Sequence, residues 1–178
     1  MRLCQTGTVD GSFSPFELRT RRFTSANVQR MLETGIIAAG EKLELIGGKL
    51  LELAPQGPLH WGYLQKLVSF LLRNLPRELD LASQGPLRHG SEDEPEPEIF
   101  ILPAGMDVNA VRGHHVRLAI EVAVSSFKFD STVTRDLYAR FGVAEYGIVS
   151  PETRRTHVYK LVPACGYGTP EGWNSTAC

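Results

Sequence analysis

Two glutamates, Glu98 and Glu121, are the residues of this sequence best suited to do chemistry. Glu98 directly precedes the apolar run "IFIL", and Glu121 lies inside the run "VRLAIEVAV". Both runs are typical of β-strands, and strands that follow one another in a chain are usually neighbours in the sheet. We therefore expect the two carboxylates to lie side by side. Such a pair repels unless a cation lies between its members, and oxygen ligands favour Mg²⁺ or Mn²⁺.

A divalent ion between these glutamates would bind a phosphate and lower the pKa of a bound water, which is the chemistry of metal-assisted phosphodiester hydrolysis. Glu44, in the segment "LELIGG", is a candidate third oxygen ligand. Simpler interpretations remain open. Glu98 alone is more often a solvated acid at a strand end, or the partner of a lysine or arginine. Glu121 has apolar neighbours, so its charge requires a metal, a cation or a hydrogen-bond network.

The elements that must position these acids are predicted from hydrophobic periodicity and turn residues. The first half of the chain predicts a short amphipathic helix that ends at Gly35, a β-hairpin over residues 43–53 that turns at Gly47-Gly48, and a longer amphipathic helix in "HWGYLQKLVSFLLRNL". The two strands that carry the acids follow. Together these elements predict an α/β fold with a mixed β-sheet flanked by helices, preceded by an N-terminal helix and β-hairpin.

The segment after Glu121 predicts one more helix and two more strands. The helix lies in "DSTVTRDLYARFGV", with Asp130 or Ser131 as its N-cap and Gly142 at its end. The strands are "EYGIVS" and "RTHVYKLV", joined by a turn at Pro151-Glu152. No pattern extends into the tail from Cys165 onward.

The length of 178 residues, with 42% hydrophobic and 22% charged residues, is typical of one globular domain. Residues 1–22 are rich in Gly, Ser, Thr and Pro and predict a flexible N-terminal arm. We expect a single domain over residues 23–162 and an irregular C-terminal tail over residues 163–178. The net charge of -1 excludes a global basic field, so a nucleic acid would be bound through a local patch or metal ions.

The cysteines, Cys4, Cys165 and Cys178, form neither a disulfide framework nor a zinc-binding pattern. The histidines also lack the spacing of metal ligands. The sequence contains no apolar segment of signal-peptide type and no run of about 20 apolar residues that would span a bilayer. We therefore expect a cytoplasmic protein with reduced thiols, neither exported nor embedded in a membrane.

Several segments, in their order along the chain, resemble the putative restriction endonuclease family of the PD-(D/E)xK nuclease superfamily: "LELIGGKLLELAP", "PEPEIFIL", "AIEVAVSS", "FD", "LYARFGVAEYGIVS" and "HVYKL". The resemblance covers about residues 23–162. It implies a restriction-endonuclease-like core and a magnesium-dependent nuclease site. It also implies that Glu98, which follows Pro97, and Glu121 are metal ligands, and that Glu44 matches an acid of the family's early segment.

The chain departs from the family at the catalytic lysine. The family lysine lies four residues before the position of Tyr138, where this chain has Thr134, and the third position of "ExK" is Ala123. Losing such an electrostatic group commonly costs a factor of about 10² to 10³ in rate. Lys128, on the connection between strand and helix, is the candidate replacement. Arg135 is adjacent to the vacated position but points about 100° away around the helix.

Two further differences involve single residues. Glu98 stands where the family has aspartate, which is one methylene shorter and also binds metals. His60 matches a family histidine, although a histidine at the start of a helix beside the core is an equally good account.

Two functional hypotheses follow. The first is a Mg²⁺- or Mn²⁺-dependent DNA endonuclease in which Glu98, Glu121 and Lys128 are catalytic and Glu44 assists the metal ligands Glu98 and Glu121. The second is a catalytically inactive nuclease-fold protein that binds nucleic acid or a protein partner. Many folds of this kind dimerise, so a homodimer is a further expectation.

Overall fold

The computed structural model describes residues 20–53 and 55–174. The predicted N-terminal arm, residues 1–22, lies outside the described residues except for its last three positions. Among the described helices, none is both long and apolar enough to cross a membrane.

The N-terminal helix and hairpin form where the sequence predicts them. Helix α1 spans Ser25–Glu33 and is capped by Thr24, whose hydroxyl accepts the backbone N–H of Asn27 at 3.3 Å. Strands β1 (Leu43–Ile46) and β2 (Lys49–Glu52) pair antiparallel. The turn residues Gly47 and Gly48 have φ angles of 56° and 71°, a left-handed conformation that glycine adopts without steric cost.

Helix α2 spans Pro58–Asn74, starting with a proline in its first turn. Its apolar face packs on one side of the main sheet, where Leu64 contacts a cluster that contains Ile99, Ile120 and Val122. This burial confirms the amphipathic helix predicted from the sequence.

The main sheet has seven strands: β3 (Leu79–Ala82), β4 (Ile99–Pro103), β5 (Leu118–Val122), β6 (Glu145–Ser150), β7 (Arg155–Val162), β8 (Gly166–Tyr167) and β9 (Glu171–Asn174). The order is β3-β4-β5-β6-β7-β8, and β9 also pairs with β7. The β5–β6 pair is parallel and the other pairs are antiparallel. The mixed sheet predicted from the sequence is confirmed.

A second helical layer covers the opposite side of the sheet. It runs from α3 (Phe127–Phe129) through a π-helical segment, Asp130–Thr134, into α4 (Arg135–Phe141). Gly142 ends it with a φ angle of 78°. Leu137 and Tyr138 of α4 belong to a buried core with Ala119 and Tyr146 of the sheet. Because Ala119 and Glu121 are two residues apart on one strand, Glu121 also faces this layer.

Three local predictions need correction. Asp130 does not cap the helix, because helical backbone already begins at Phe127. Strand β3 was not predicted; it is four residues long, too short for a periodic signal, and is held by its pairing with β4. The tail predicted as irregular over residues 163–178 contains β8 and β9, whose backbones pair with β7. The two residues of β8 are too few for a periodic signal, and the pairing of β9 with the start of β7 leaves little trace in local composition.

The close contact between Gly113 and α4 predicts a large loss of stability for Gly113→Ala. An added Cβ would lie 2.4 Å from the backbone oxygen of Phe141, which cannot move without distorting the helix. We expect a loss of roughly 1–3 kcal/mol in the free energy of unfolding. Gly62→Ala in α2 is the control, since its Cβ would meet no described atom within 4 Å and alanine favours a helix. The free energies of unfolding of both variants, measured by urea titration, test this prediction. Equal values would contradict the close contact between Gly113 and Phe141.

Candidate active site

The register of β4 and β5 brings Glu98 and Glu121 together. Ile99 pairs with Ile120 in an antiparallel ladder, so the residue before Ile99 lies opposite the residue after Ile120. The backbone N–H of Glu98 donates to Glu121 Oε2 at 3.4 Å, and the backbone N–H of Val122 donates to Glu98 Oε2 at 2.8 Å. The side-by-side arrangement expected from the sequence is therefore present.

Two more acids line the same cavity, which has a volume of about 340 Å³. Glu44 reaches it from β1 and accepts the backbone N–H of Glu96 at 3.0 Å. Asp130 reaches it from the π-helical segment, where it is buried and accepts hydrogen bonds from the hydroxyls of Ser126 and Thr134. The cavity thus collects four carboxyl groups from four separate elements.

Burial and mutual repulsion make these acids hard to ionise. Desolvation is the largest cause and raises the pKa of Glu98 to about 8 and that of Glu44 to about 7. Desolvation and the neighbouring charges of Glu98 and Asp130 raise the pKa of Glu121 well above its ordinary value, although Tyr138 donates a hydrogen bond to Glu121 Oε1 at 2.8 Å. Burial also raises the pKa of Asp130. At neutral pH the cluster therefore retains protons that a divalent cation would displace.

The donor chemistry of the cavity fits a hard divalent cation, because the groups that would bind it are carboxyl oxygens. The side chains are not yet converged on an ion: within residues 20–53 and 55–174, no group of three or more His, Cys, Asp or Glu side chains is arranged to hold a metal. Their oxygens are instead engaged by hydrogen bonds. Metal binding would require some of these bonds to be exchanged.

His60 and Gln56 hold Glu98 from the side of α2. His60 is buried in the first turn of α2, and its Nε2 contacts Glu98 Oε1 closely. The Gln56 amide donates to the same oxygen at 3.4 Å. Burial, followed by the charge of Lys42, lowers the pKa of His60 and keeps the imidazole neutral. Its Nδ1 is buried and has no hydrogen-bond partner in the described part of the chain.

Comparison with known proteins agrees with this fold. The Uma2 family model, described as putative restriction endonuclease, matches residues 28–176. The chain belongs to this family. The fold is similar to the crystal structure of a putative nuclease belonging to DUF820 from Anabaena variabilis, with a TM-score of 0.65, 15% sequence identity, and coverage of 88% of this chain and 87% of that chain. At this identity the likeness concerns the fold alone. Among curated proteins, none matches the chain.

The lysine of the putative restriction endonuclease family has no counterpart at its usual place. Thr134 is buried and donates to Asp130 at 3.4 Å, and Ala123 is fully buried. Lys128 is exposed and is not among the residues that line the cavity. Arg135 points away from the acids and binds the carboxylate of Asp136 at 2.7 Å. The structure does not bring Lys128 to the acids in this conformation, and its catalytic role stays a prediction.

Sequence reasoning matched Asp130, as part of "FD", to a segment of the family, but it assigned the residue to a possible helix cap and not to the site. One signal was available: Asp130 lies four residues before Thr134 and eight before Tyr138, which places all three on one face of a helix. Because Tyr138 was already aligned with the family, the helical spacing pointed to the cavity.

The raised pKa values of the acids predict that this protein, when free of metal, loses stability as pH rises. A carboxyl whose folded-state pKa is raised binds a proton more tightly when folded, so its stabilising effect is complete below its unfolded pKa and is lost as pH increases. For Glu98 this window runs from about 4.5 to about 8. In EDTA, we expect the free energy of unfolding from urea titrations to decrease between these pH values, and Glu98→Gln to flatten the dependence. A free energy that rises over this range would contradict the burial of the acids.

Proposed function

We propose that this protein is a divalent-metal-dependent endonuclease that hydrolyses phosphodiester bonds in DNA. The observation that carries the proposal is the pair Glu98 and Glu121, two adjacent acids in the wall of one cavity, each with a raised pKa. Membership of the putative restriction endonuclease family and the nuclease-like fold support the reaction class.

In this proposal Glu98 and Glu121 hold Mg²⁺ or Mn²⁺, with Glu44 as an assisting ligand and Asp130 as an additional negative charge. A bound ion would supply a water of lowered pKa and would neutralise charge on the phosphate. The protein orients its acids through specific donors. Tyr138 fixes Glu121, the backbone N–H of Val122 fixes Glu98, and Ser126 and Thr134 fix Asp130.

The direct test is cleavage of supercoiled plasmid DNA by the purified protein. We expect nicked and linear products with Mg²⁺ or Mn²⁺ and none in EDTA, because the carboxyl groups of the cavity would need a divalent cation to bind a phosphate. A structured RNA assayed in parallel distinguishes DNA from RNA as substrate. Absence of metal-dependent cleavage of either nucleic acid at any pH between 6 and 9 (about one unit around the raised pKa values) would contradict the proposal.

The second candidate function is binding of nucleic acid or a protein partner without cleavage. It is favoured by one observation, the neutral Thr134 at the position of the family lysine. A protein of this kind would shift the fluorescence anisotropy of a labelled DNA duplex or partner while leaving DNA intact in Mn²⁺. Cleavage by the wild-type protein would exclude it.

We further propose a cytoplasmic location and a homodimer. The exposed free thiol of Cys165 is compatible with a reducing compartment. A two-fold symmetric pair of sites would allow both strands of a duplex to be cut. Light scattering of the purified protein tests the dimer, since a mass of 19.7 kDa would identify a monomer.

A further inference from the structure

Lys42 lies immediately before β1 and continues its ladder. The backbone N–H of Leu53 donates to the Lys42 carbonyl at 3.0 Å, so the pairing of β1 with β2 extends one residue beyond Leu43. Side chains two residues apart on such a strand share a face. Glu44 and Ile46 both line the acidic cavity, and Lys42 is the next position of the same series.

A second cleft connects Lys42 to the acidic cavity. Lys42 lines this cleft, and the two depressions share a wall formed by Leu53, Pro55, Gln56, Gly57 and Pro58. The side chain of Gln56 in that wall donates to Glu98. Lys42 and Glu98 therefore lie on either side of a wall that includes Gln56, and an extended chain of phosphates lying across both depressions would meet both residues.

Lys42 is exposed, and it forms no ion pair with any residue that the structure describes. A lysine on a flexible stem without a carboxylate partner is suited to contact a phosphate.

We propose that Lys42 supplies, from the β-hairpin, the positive charge that the family places on the helix at the position of Thr134, and that it contacts a phosphate of the bound strand beside the one that is cleaved. The inference rests on the proposed nuclease function. The chain would thereby retain the charge of the missing lysine while changing the element that carries it from a helix to the β-hairpin.

The test compares Lys42→Ala with Lys49→Ala, a second exposed lysine of the same hairpin that lies at the far end of β1 and β2. Plasmid cleavage in Mn²⁺ and Mn²⁺ affinity by calorimetry are measured for each. We expect Lys42→Ala to cleave about 10²- to 10³-fold more slowly and yet to bind Mn²⁺ more tightly, because a repelling charge is gone. Lys49→Ala should match the parent in both measurements.

Restoring a positive charge at residue 134 distinguishes two explanations of a slow Lys42→Ala variant, the loss of a charge and the loss of folding. In Lys42→Ala/Thr134→Lys, we expect recovery of at least about tenfold in rate relative to Lys42→Ala, since an ammonium group again faces the acids. A folding defect would not be repaired by this second substitution.

Two outcomes would overturn the inference. Cleavage by Lys42→Ala at the parental rate, with unchanged Mn²⁺ affinity, would show that its charge is not used. A loss in Lys128→Ala with none in Lys42→Ala would assign the charge to Lys128. Failure of the parent itself to cleave DNA or bind Mn²⁺ is a different result, which rejects the proposed function and the inference with it.

Discussion

Replacing Glu121 with glutamine is expected to lower metal-dependent DNA cleavage by at least about 10²- to 10³-fold. Glutamine has the same shape, and its one oxygen still accepts the 2.8 Å hydrogen bond from Tyr138 at the expense of the longer bond from the Glu98 backbone N–H, so the fold should be preserved. It removes a carboxyl group that a divalent cation would deprotonate and bind. The rate of plasmid cleavage in Mn²⁺ is the measurement.

The stability of the same variant gives an independent result with the opposite sign. In EDTA near pH 8, Glu121→Gln should unfold at the same or a higher temperature than the parent, because burial and the charges of Glu98 and Asp130 disfavour ionised Glu121. The stabilisation that Mn²⁺ confers on the parent should be lost.

Glu171→Gln is the matched control for Glu121→Gln. Glu171 is an exposed glutamate of β9 that pairs with Lys160 at 3.7 Å, and it does not line the cavity. Both its cleavage rate and its response to Mn²⁺ should equal those of the parent. Undiminished cleavage by Glu121→Gln would remove this glutamate from the active site.

Introducing a lysine at the family position, Thr134→Lys, is expected to raise cleavage by about 10²- to 10³-fold if the parent is limited by the missing charge. The side chain of residue 134 points to Asp130 and the cavity, so an ammonium group there would face the acids. Because Thr134 is only 5% exposed, the longer side chain should cost roughly 1–3 kcal/mol in stability.

The control for Thr134→Lys is Thr132→Lys in the same π-helical segment. Thr132 is exposed and donates to the Lys128 carbonyl at 2.6 Å, away from the acids. The Thr132→Lys variant should therefore gain no cleavage activity. An inactive parent that gains cleavage only with Thr134→Lys would show that the lysine alone was lost and would favour binding as the natural function. If Lys42 supplies the charge, the parent is already active. Thr134→Lys should then raise the cleavage rate most when it is introduced into Lys42→Ala.

Local sequence patterns were sufficient for most of the fold. Helix α2 was predicted because its apolar residues recur at helical spacing. In the structure this helix has 17 residues, and a pattern sustained over such a length is typical of an amphipathic helix. The hairpin was predicted because Gly47-Gly48 stands between two short apolar alternations. Short strands β3, β8 and β9 were not predicted. Strands β3 and β9 are held by partners distant in the sequence, and β8 has only two residues, too few for a periodic signal.

The start of the second helical layer was also mispredicted, for a related reason. Asp130 is a favourable N-cap by residue type, and that preference suggested a helix start. In the structure its carboxylate faces the cavity and is held by Ser126 and Thr134 within a continuous helical stretch. Tertiary contacts outweigh capping preference at this position.

The sequence by itself determined the pair Glu98 and Glu121, because neighbouring strands and the ordered family segments both follow from the order of residues along the chain. Only the tertiary structure decided what surrounds that pair. It brought Asp130 and His60 to the acids from the π-helical segment and from helix α2, and it left Lys128 on the surface. The physical reason is that charge and hydrogen bonding act across space, whereas sequence patterns record only neighbours along the backbone.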